Sequence, residues 1–114
     1  MSSIRQNKVA ALIQRELANY FLIHSKSKYL GAMITVTTVR VTPDLALAKV
    51  YLSIFSGKGT KEEVFEIINH STKEIRSSFA NQTKAQLRAT PQFIFNLDDS
   101  IEYANEIERL LKKK

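Results

Sequence analysis

The feature that most restricts the fold is a pair of β-rich runs on either side of a turn. Met33 to Val41 is β-branched and lacks helical spacing, so it reads as a strand. Its alternation is imperfect: Ile34 and Val36 point one way and Val39 and Val41 the other, which implies a bulge or a strand covered on both faces. Ala46, Ala48, Val50, Leu52 and Ile54 then alternate cleanly with Leu47, Lys49, Tyr51, Ser53 and Phe55. Between the runs, Thr42-Pro43-Asp44 supplies turn chemistry, because Pro fixes φ and Asp bonds back to the chain. The simplest pairing is an antiparallel hairpin. Small Ala46 and Ala48 leave room for a helix to press on that face. Tyr51 and Phe55 share the other face with Lys49; core packing under the helices is their expected use, ahead of a stacking platform for bases.

Helical patterns flank the hairpin. Residues 3 to about 24 carry Val9, Leu12, Ile13, Leu17 and Tyr20 at the three-and-four spacing of one buried face, and Gly31 marks the break that follows. After Ser56-Gly57-Lys58-Gly59, Thr60 and Glu63 have capping-box spacing. They open a helix through Val64, Ile67, Ile68, Ser71, Ile75 and Phe79. The apolar pattern slackens at Ala80-Asn81-Gln82-Thr83, so a kink is expected near Asn81, with a shorter helix through Lys84, Leu87 and Arg88. Thr90-Pro91 ends it, since the residue before Pro avoids the helical region. Gln92 to Leu97 reads as a short strand. Asp98-Asp99-Ser100 caps a last helix with an apolar stripe of Ile101, Ala104, Ile107 and Leu111.

The 114 residues fit one domain, with no internal repeat. No apolar run approaches the roughly 18 residues of a spanning helix, so no membrane partner is expected. The first eight residues lack the apolar core of a signal peptide, which makes the cytoplasm the expected location. Absence of cysteine removes disulfides, thiolate metal sites and thiol catalysis. The net charge of +6 favours polyanionic partners. Its distribution says more. Residues 1–43 carry six bases against the single acid Glu16, whereas residues 98–108 carry Asp98, Asp99, Glu102, Glu106 and Glu108 with no base. A surface polarised in this way orients a polyanion.

The order of elements, αββααβ followed by a C-terminal helix, is an α+β pattern. It resembles the type II KH domain, an RNA-binding module whose central helices are joined by a Gly-x-x-Gly loop. Ala80-Asn81-Gln82-Thr83 has no glycine. In this the chain resembles the ribosome-binding factor A family, whose KH-like domain has a kink between helices in place of that loop. The likeness rests on Arg5, Val9, Ile13, Arg15, Glu16 and Leu17; on Ile34-Thr35-Val36-Thr37 through Pro43 to Asp44-Leu45; on Ala48 to Ser53; and on Ile75-Arg76, Leu87-Arg88, Thr90-Pro91, Phe95, Asp98 and Ser100. Gln92 stands where the family usually has an acid. The resemblance implies a factor that binds the immature small (30S) ribosomal subunit near the 5′ end of 16S rRNA. It also implies assistance with late maturation, including processing of that end, and greatest importance in the cold. Release by a GTPase of the same pathway, a monomeric state, no cofactor, no metal and no catalysis are part of the same expectation.

RNA contact without a phosphate-cradling loop falls to basic side chains. Lys84 and Arg88 are four apart, Lys73 and Arg76 three apart, and a kink at Asn81 turns both pairs toward one groove. Either arginine can fork onto a phosphate, which lysine cannot. Arg5, Lys8 and Arg15 form a second candidate patch on the first helix. Each base taken singly is equally well explained as a solvated helix face. A protein-interaction adaptor with an acidic last helix and a stand-alone KH-like binder of single-stranded RNA are the alternatives. The only histidines, His24 and His70, have no serine or carboxylate constellation around them in the sequence.

Overall fold

The computed structural model describes residues 3–56 and 58–98. Helix α1 spans Ile4–Lys28, strands β1 and β2 span Met33–Val41 and Leu47–Phe55, helices α2 and α3 span Lys61–His70 and Thr72–Thr83, and β3 spans Gln92–Leu97. This is the α+β, KH-like order αββααβ. The sheet runs β1-β2-β3, with β1 and β2 antiparallel and β2 and β3 parallel. A parallel pair needs a crossover, and α2 and α3 supply it.

The imperfect alternation of β1 is a bulge. The register slips between Val36 and Thr38, leaving Thr37 as the extra residue. Val36 and Val41 are thereby both turned to the core, where Ala48, Val50, Leu52, Ile54, Phe93 and Phe95 join them. All three helices pack on this one face, through Val9, Ile13, Leu17 and Phe21 of α1, Val64 and Ile68 of α2, and Ile75 and Phe79 of α3. Phe79 meets Phe93 edge-on at 5.3 Å between ring centroids, and Phe21 meets Phe95 at 6.4 Å. Each such buried side chain contributes about 1.5–3 kcal/mol of transfer free energy. The opposite face of the sheet has no helix on it among the described residues.

Four expectations are corrected. The first helix does not stop near residue 24; it continues to Lys28 because Tyr29 beyond it is fully buried. The Ser25 carbonyl accepts from both Tyr29 and Gly31 N–H, wrapping the chain into β1. The second correction moves the kink from Asn81 to Ser71. There the Ser71 hydroxyl donates to Ile67 O at 2.8 Å and the Thr72 hydroxyl to Asn69 O at 2.9 Å, so two adjacent side chains bond back into the preceding turn and break the helix. Asn81 lies inside α3 with its side chain exposed. Third, the short helix through Lys84 and Arg88 does not form. Thr83 is buried, its carbonyl accepts from Gln86 and Leu87 N–H, and the chain turns out of the helix there. Fourth, Tyr51 and Phe55 lie on the helix-free face rather than under the helices; Phe55 is 75% exposed. Half of the expected capping box forms at Thr60: its hydroxyl accepts from Glu63 N–H at 3.1 Å, while the Glu63 carboxylate meets the Thr60 hydroxyl at 3.4 Å rather than the Thr60 N–H. The helix expected from Ile101 lies outside the described residues.

Candidate nucleic-acid interface

Two tethers set the position of α1. Ser3 and Gln6 form a reciprocal capping box: Ser3 Oγ accepts from Gln6 N–H at 3.1 Å, and Gln6 Oε1 accepts from Ser3 N–H at 2.9 Å. The buried Gln6 amide then donates to Val41 O at 2.7 Å, fixing the start of α1 to the end of β1. Further along the helix, Gln14 Nε2 donates to Val36 O at 2.9 Å, a carbonyl at the bulge. With Gln6, Val9, Ile13 and Leu17 committed to the interior, Arg5, Lys8 and Arg15 are left on the exposed flank. The Ser-x-x-Gln spacing at residues 3–6 is itself a helix-start signal.

The segment after α3 is held by Arg76. Its guanidinium forks onto two backbone carbonyls, with Nε donating to Pro91 O at 2.9 Å and Nη2 to Thr90 O at 2.8 Å. The fork that an arginine can offer a phosphate is spent here inside the protein. Arg76 is therefore a positioning residue for the 88–91 segment. It sets Arg88, which is exposed, alongside α1.

The result is a groove between the first half of α1 and residues 86–91. One stretch, of about 620 Å³, has Arg5, Lys8, Arg15 and Arg88 at its sides and Val9, Leu12 and Leu87 among its apolar lining. A second, of about 440 Å³, shares Arg5, Val9, Leu87 and Arg88 and runs on to the turn at Asp44, Leu45 and Ala46. Four bases thus face one acid among the described residues. The Thr42 hydroxyl at 2.7 Å and Ala46 N–H at 3.1 Å hold the Asp44 carboxyl below its ordinary value. Leu45, in the same lining, has a left-handed backbone, φ 61°. Arg15 is also tethered loosely to Glu16, Nε to Oε1 at 3.7 Å. Such a groove presents a row of cations over an apolar floor, which suits a phosphate backbone with a base or sugar lodged beneath.

The expected grouping of bases is therefore rearranged. Arg88 joins Arg5, Lys8 and Arg15, although the two sets are far apart in sequence and look like separate patches along the chain. Lys73 and Asn81 lie together on another exposed hollow with Lys28, His70, Glu74 and Ser77. There Lys28 Nζ is bound to Glu74 Oε2 at 3.1 Å, an ion pair that holds its ammonium charged to higher pH than usual. Lys84 is exposed at the end of α3 and lines neither hollow. Leu12, Leu87, Gln86 and Asp44 are lining residues that sequence reasoning misses. Gln86 and Leu87 adjoin Arg88 in sequence, but nothing local connects them to Leu12 or Asp44.

The histidines have structural neighbours. His24 packs its ring on Tyr20 at 4.4 Å, and His70 sits 3.7 Å from Glu66 on the surface of α2. No group of three metal-binding side chains occurs among the described residues. Every buried side-chain polar atom described has a partner.

A family model described as ribosome-binding factor A matches residues 5–111. The ribosome-binding factor A of Cytophaga hutchinsonii is 41% identical over 113 residues, covering 99% of this chain and 84% of the relative. Among solved structures, the crystal structure of ribosome-binding factor A from Thermus thermophilus superposes with a TM-score of 0.66 at 18% identity, covering 81% of this chain and 94% of that one. A homology model of the Thermus thermophilus factor, as fitted into the cryo-electron microscopy map of a 30S complex, gives 0.64 at 19% identity, covering 79% of this chain and 91% of that one.

Proposed function

We propose, from the premise that this chain belongs to the ribosome-binding factor A family, that it binds the small ribosomal subunit through 16S rRNA and that the groove of Arg5, Lys8, Arg15 and Arg88 is the phosphate-binding surface. The observation that carries this reading is the convergence of those four bases, from two segments remote in sequence, on one groove with an apolar floor. A solvated helix face would not need Arg76 to hold the opposite wall in place. Lys73 and Asn81 on α3 and Lys84 just beyond its end are exposed and supply outlying contacts. The junction at Ser71-Thr72 has no glycine, so its backbone offers no Gly-x-x-Gly cradle for a nucleotide.

In this reading the protein is a maturation factor. It acts as a monomer in the cytoplasm on immature subunits, near the 5′ end of 16S rRNA. It supports processing of that end and matters most in the cold, and a GTPase of the pathway removes it before translation. None of these steps calls for catalysis by this chain. Each phosphate contact releases counterions, so binding falls steeply as salt rises. Sedimentation of tagged protein from lysate at low and high salt tests the proposal. The expected result is a peak on free small subunits, absent from translating ribosomes and abolished at high salt. Protein that remains wholly in the soluble fraction at low salt, or that binds short single-stranded RNA as tightly as it binds subunits, overturns it.

A further inference from the structure

Next to the basic groove lies a second recess, a cleft of about 170 Å³ between α1 and α3. Glu16, Asn19 and Ile23 line it from α1, at the three-and-four spacing of one helix face. Ser78 and Gln82, four apart, line it from α3. Tyr20 and Phe79, both buried, form its apolar wall. Half-buried His24 closes one side, its ring 4.4 Å from that of Tyr20. A drug-sized ligand needs roughly 300 Å³ or more, so the cleft suits something of the size of one planar heterocycle.

Glu16 is the informative side chain. It is only 22% exposed, and Arg15, its ion-pair partner, stands off at 3.7 Å, beyond hydrogen-bond distance. A carboxylate drawn into a cleft is unfavourable unless N–H donors reach it. The side chains of Asn19, Ser78 and Gln82 make no hydrogen bond among the described residues, so each keeps its donor and acceptor capacity. Acceptors and donors of this kind around an apolar wall are what reads the edge of an unstacked base. Arg15 connects the two recesses: it lines the groove, and its Nε faces the Glu16 carboxylate that lines the cleft.

We propose that this cleft receives one unpaired guanine of the RNA strand held in the groove, an assignment that rests on the phosphate-binding reading of that groove. A strand with a phosphate on Arg15 has a base at the mouth of the cleft. Guanine alone among the four bases carries two adjacent donors, N1–H and the N2 amine, that a single carboxylate accepts together. Adenine and cytosine each offer an amine beside an acceptor nitrogen, and uracil offers one ring N–H. The Asn19 and Gln82 amides are available to donate to guanine O6 and N7. The negative charge of Glu16 also keeps phosphate out of the cleft, so the strand enters base first.

Two RNA heptamers test this with the full-length protein at low salt: heptauridylate, and the same strand with guanosine at its centre. The guanosine strand should bind about fivefold or more tightly. Inosine at the same position keeps the shape but lacks the N2 amine, and should lose most of that preference. Glu16→Gln should abolish the preference and leave heptauridylate bound as tightly as before or tighter, because an acid is gone. A purely electrostatic role for Glu16 would instead tighten both strands alike and preserve their ratio. Equal affinity of the unaltered protein for the two strands overturns the inference, as does a preference that survives either inosine or Glu16→Gln. Failure of the groove has a different signature, an affinity for heptauridylate unmoved by joint reversal of Arg5, Lys8 and Arg88 to Glu. That result removes the shared premise, and the inference with it.

Discussion

The groove and the helix-free sheet face are both basic surfaces over apolar residues, yet they are built in opposite ways. The groove draws Arg5, Lys8 and Arg15 from α1 and Arg88 from a segment remote in sequence, joined through Arg76. Arg40 and Lys49 come from adjacent strands of one hairpin and face each other by register alone. The groove is concave and its wall is held by side-chain hydrogen bonds. The face is flat and held by the backbone ladder. A concave site depends on the residue that holds its wall; a flat one depends on strand register.

The largest effect should come from removing the support of the groove while leaving its bases in place. Arg76→Ala removes two hydrogen bonds from a charged donor to the Thr90 and Pro91 carbonyls, which should cost about 2 kcal/mol in urea denaturation. Arg76→Lys keeps the charge but cannot fork, and should recover less than half of that stability. If Arg76→Ala leaves the denaturation midpoint unchanged, the groove wall is not held as described. Next, joint reversal of Arg5, Lys8 and Arg88 to Glu should weaken small-subunit binding at least tenfold, about 1.4 kcal/mol. Stability should change by less than about 0.5 kcal/mol, because all three are exposed. The slope of log affinity against log salt should also become shallower, by roughly 0.7–0.9 for each phosphate no longer neutralised. Unchanged co-sedimentation after this reversal would move the RNA surface elsewhere.

A smaller change probes the flat face. On an uncovered sheet, Arg40→Gln relieves repulsion from Lys49 and should stabilise by about 0.2–1 kcal/mol. If instead an attraction holds the pair, the same substitution should lower the melting temperature slightly. The sign of the shift decides between them. The smallest effect concerns Asp44, at the acidic end of the groove. Its folded-state carboxyl lies below the ordinary value, so its contribution to stability is full above about pH 4 and disappears as pH falls through the folded value. In acid, Asp44→Asn should therefore flatten the fall in melting temperature. At neutral pH it should tighten subunit binding modestly by removing an acid from the groove. An acid limb identical to wild type would refute the first point.

Some of this is readable along the chain. Strict alternation from Ala46 to Phe55, the turn at Pro43 and the β-branched run before it specify the hairpin, because a period of two and a turn are local properties. The faltering alternation in β1 marks the bulge at Thr37. The kink is harder to place, and for a local reason too: the slackened apolar pattern at Asn81 resembles a break. The actual break lies where Ser71 and Thr72 bond back to the helix, and the apolar spacing runs on uninterrupted through that point.

What sequence alone determined about this protein is its family, its order of elements, its core stripes and its supply of exposed bases, since each follows from residue type and short-range spacing. Only the tertiary structure decided which bases act together. Arg76 and Arg88 look alike on paper, twelve positions apart with similar neighbours. Folding placed two carbonyls within reach of one guanidinium and left the other beside α1, and no local pattern encodes a contact between segments that meet only when the core closes.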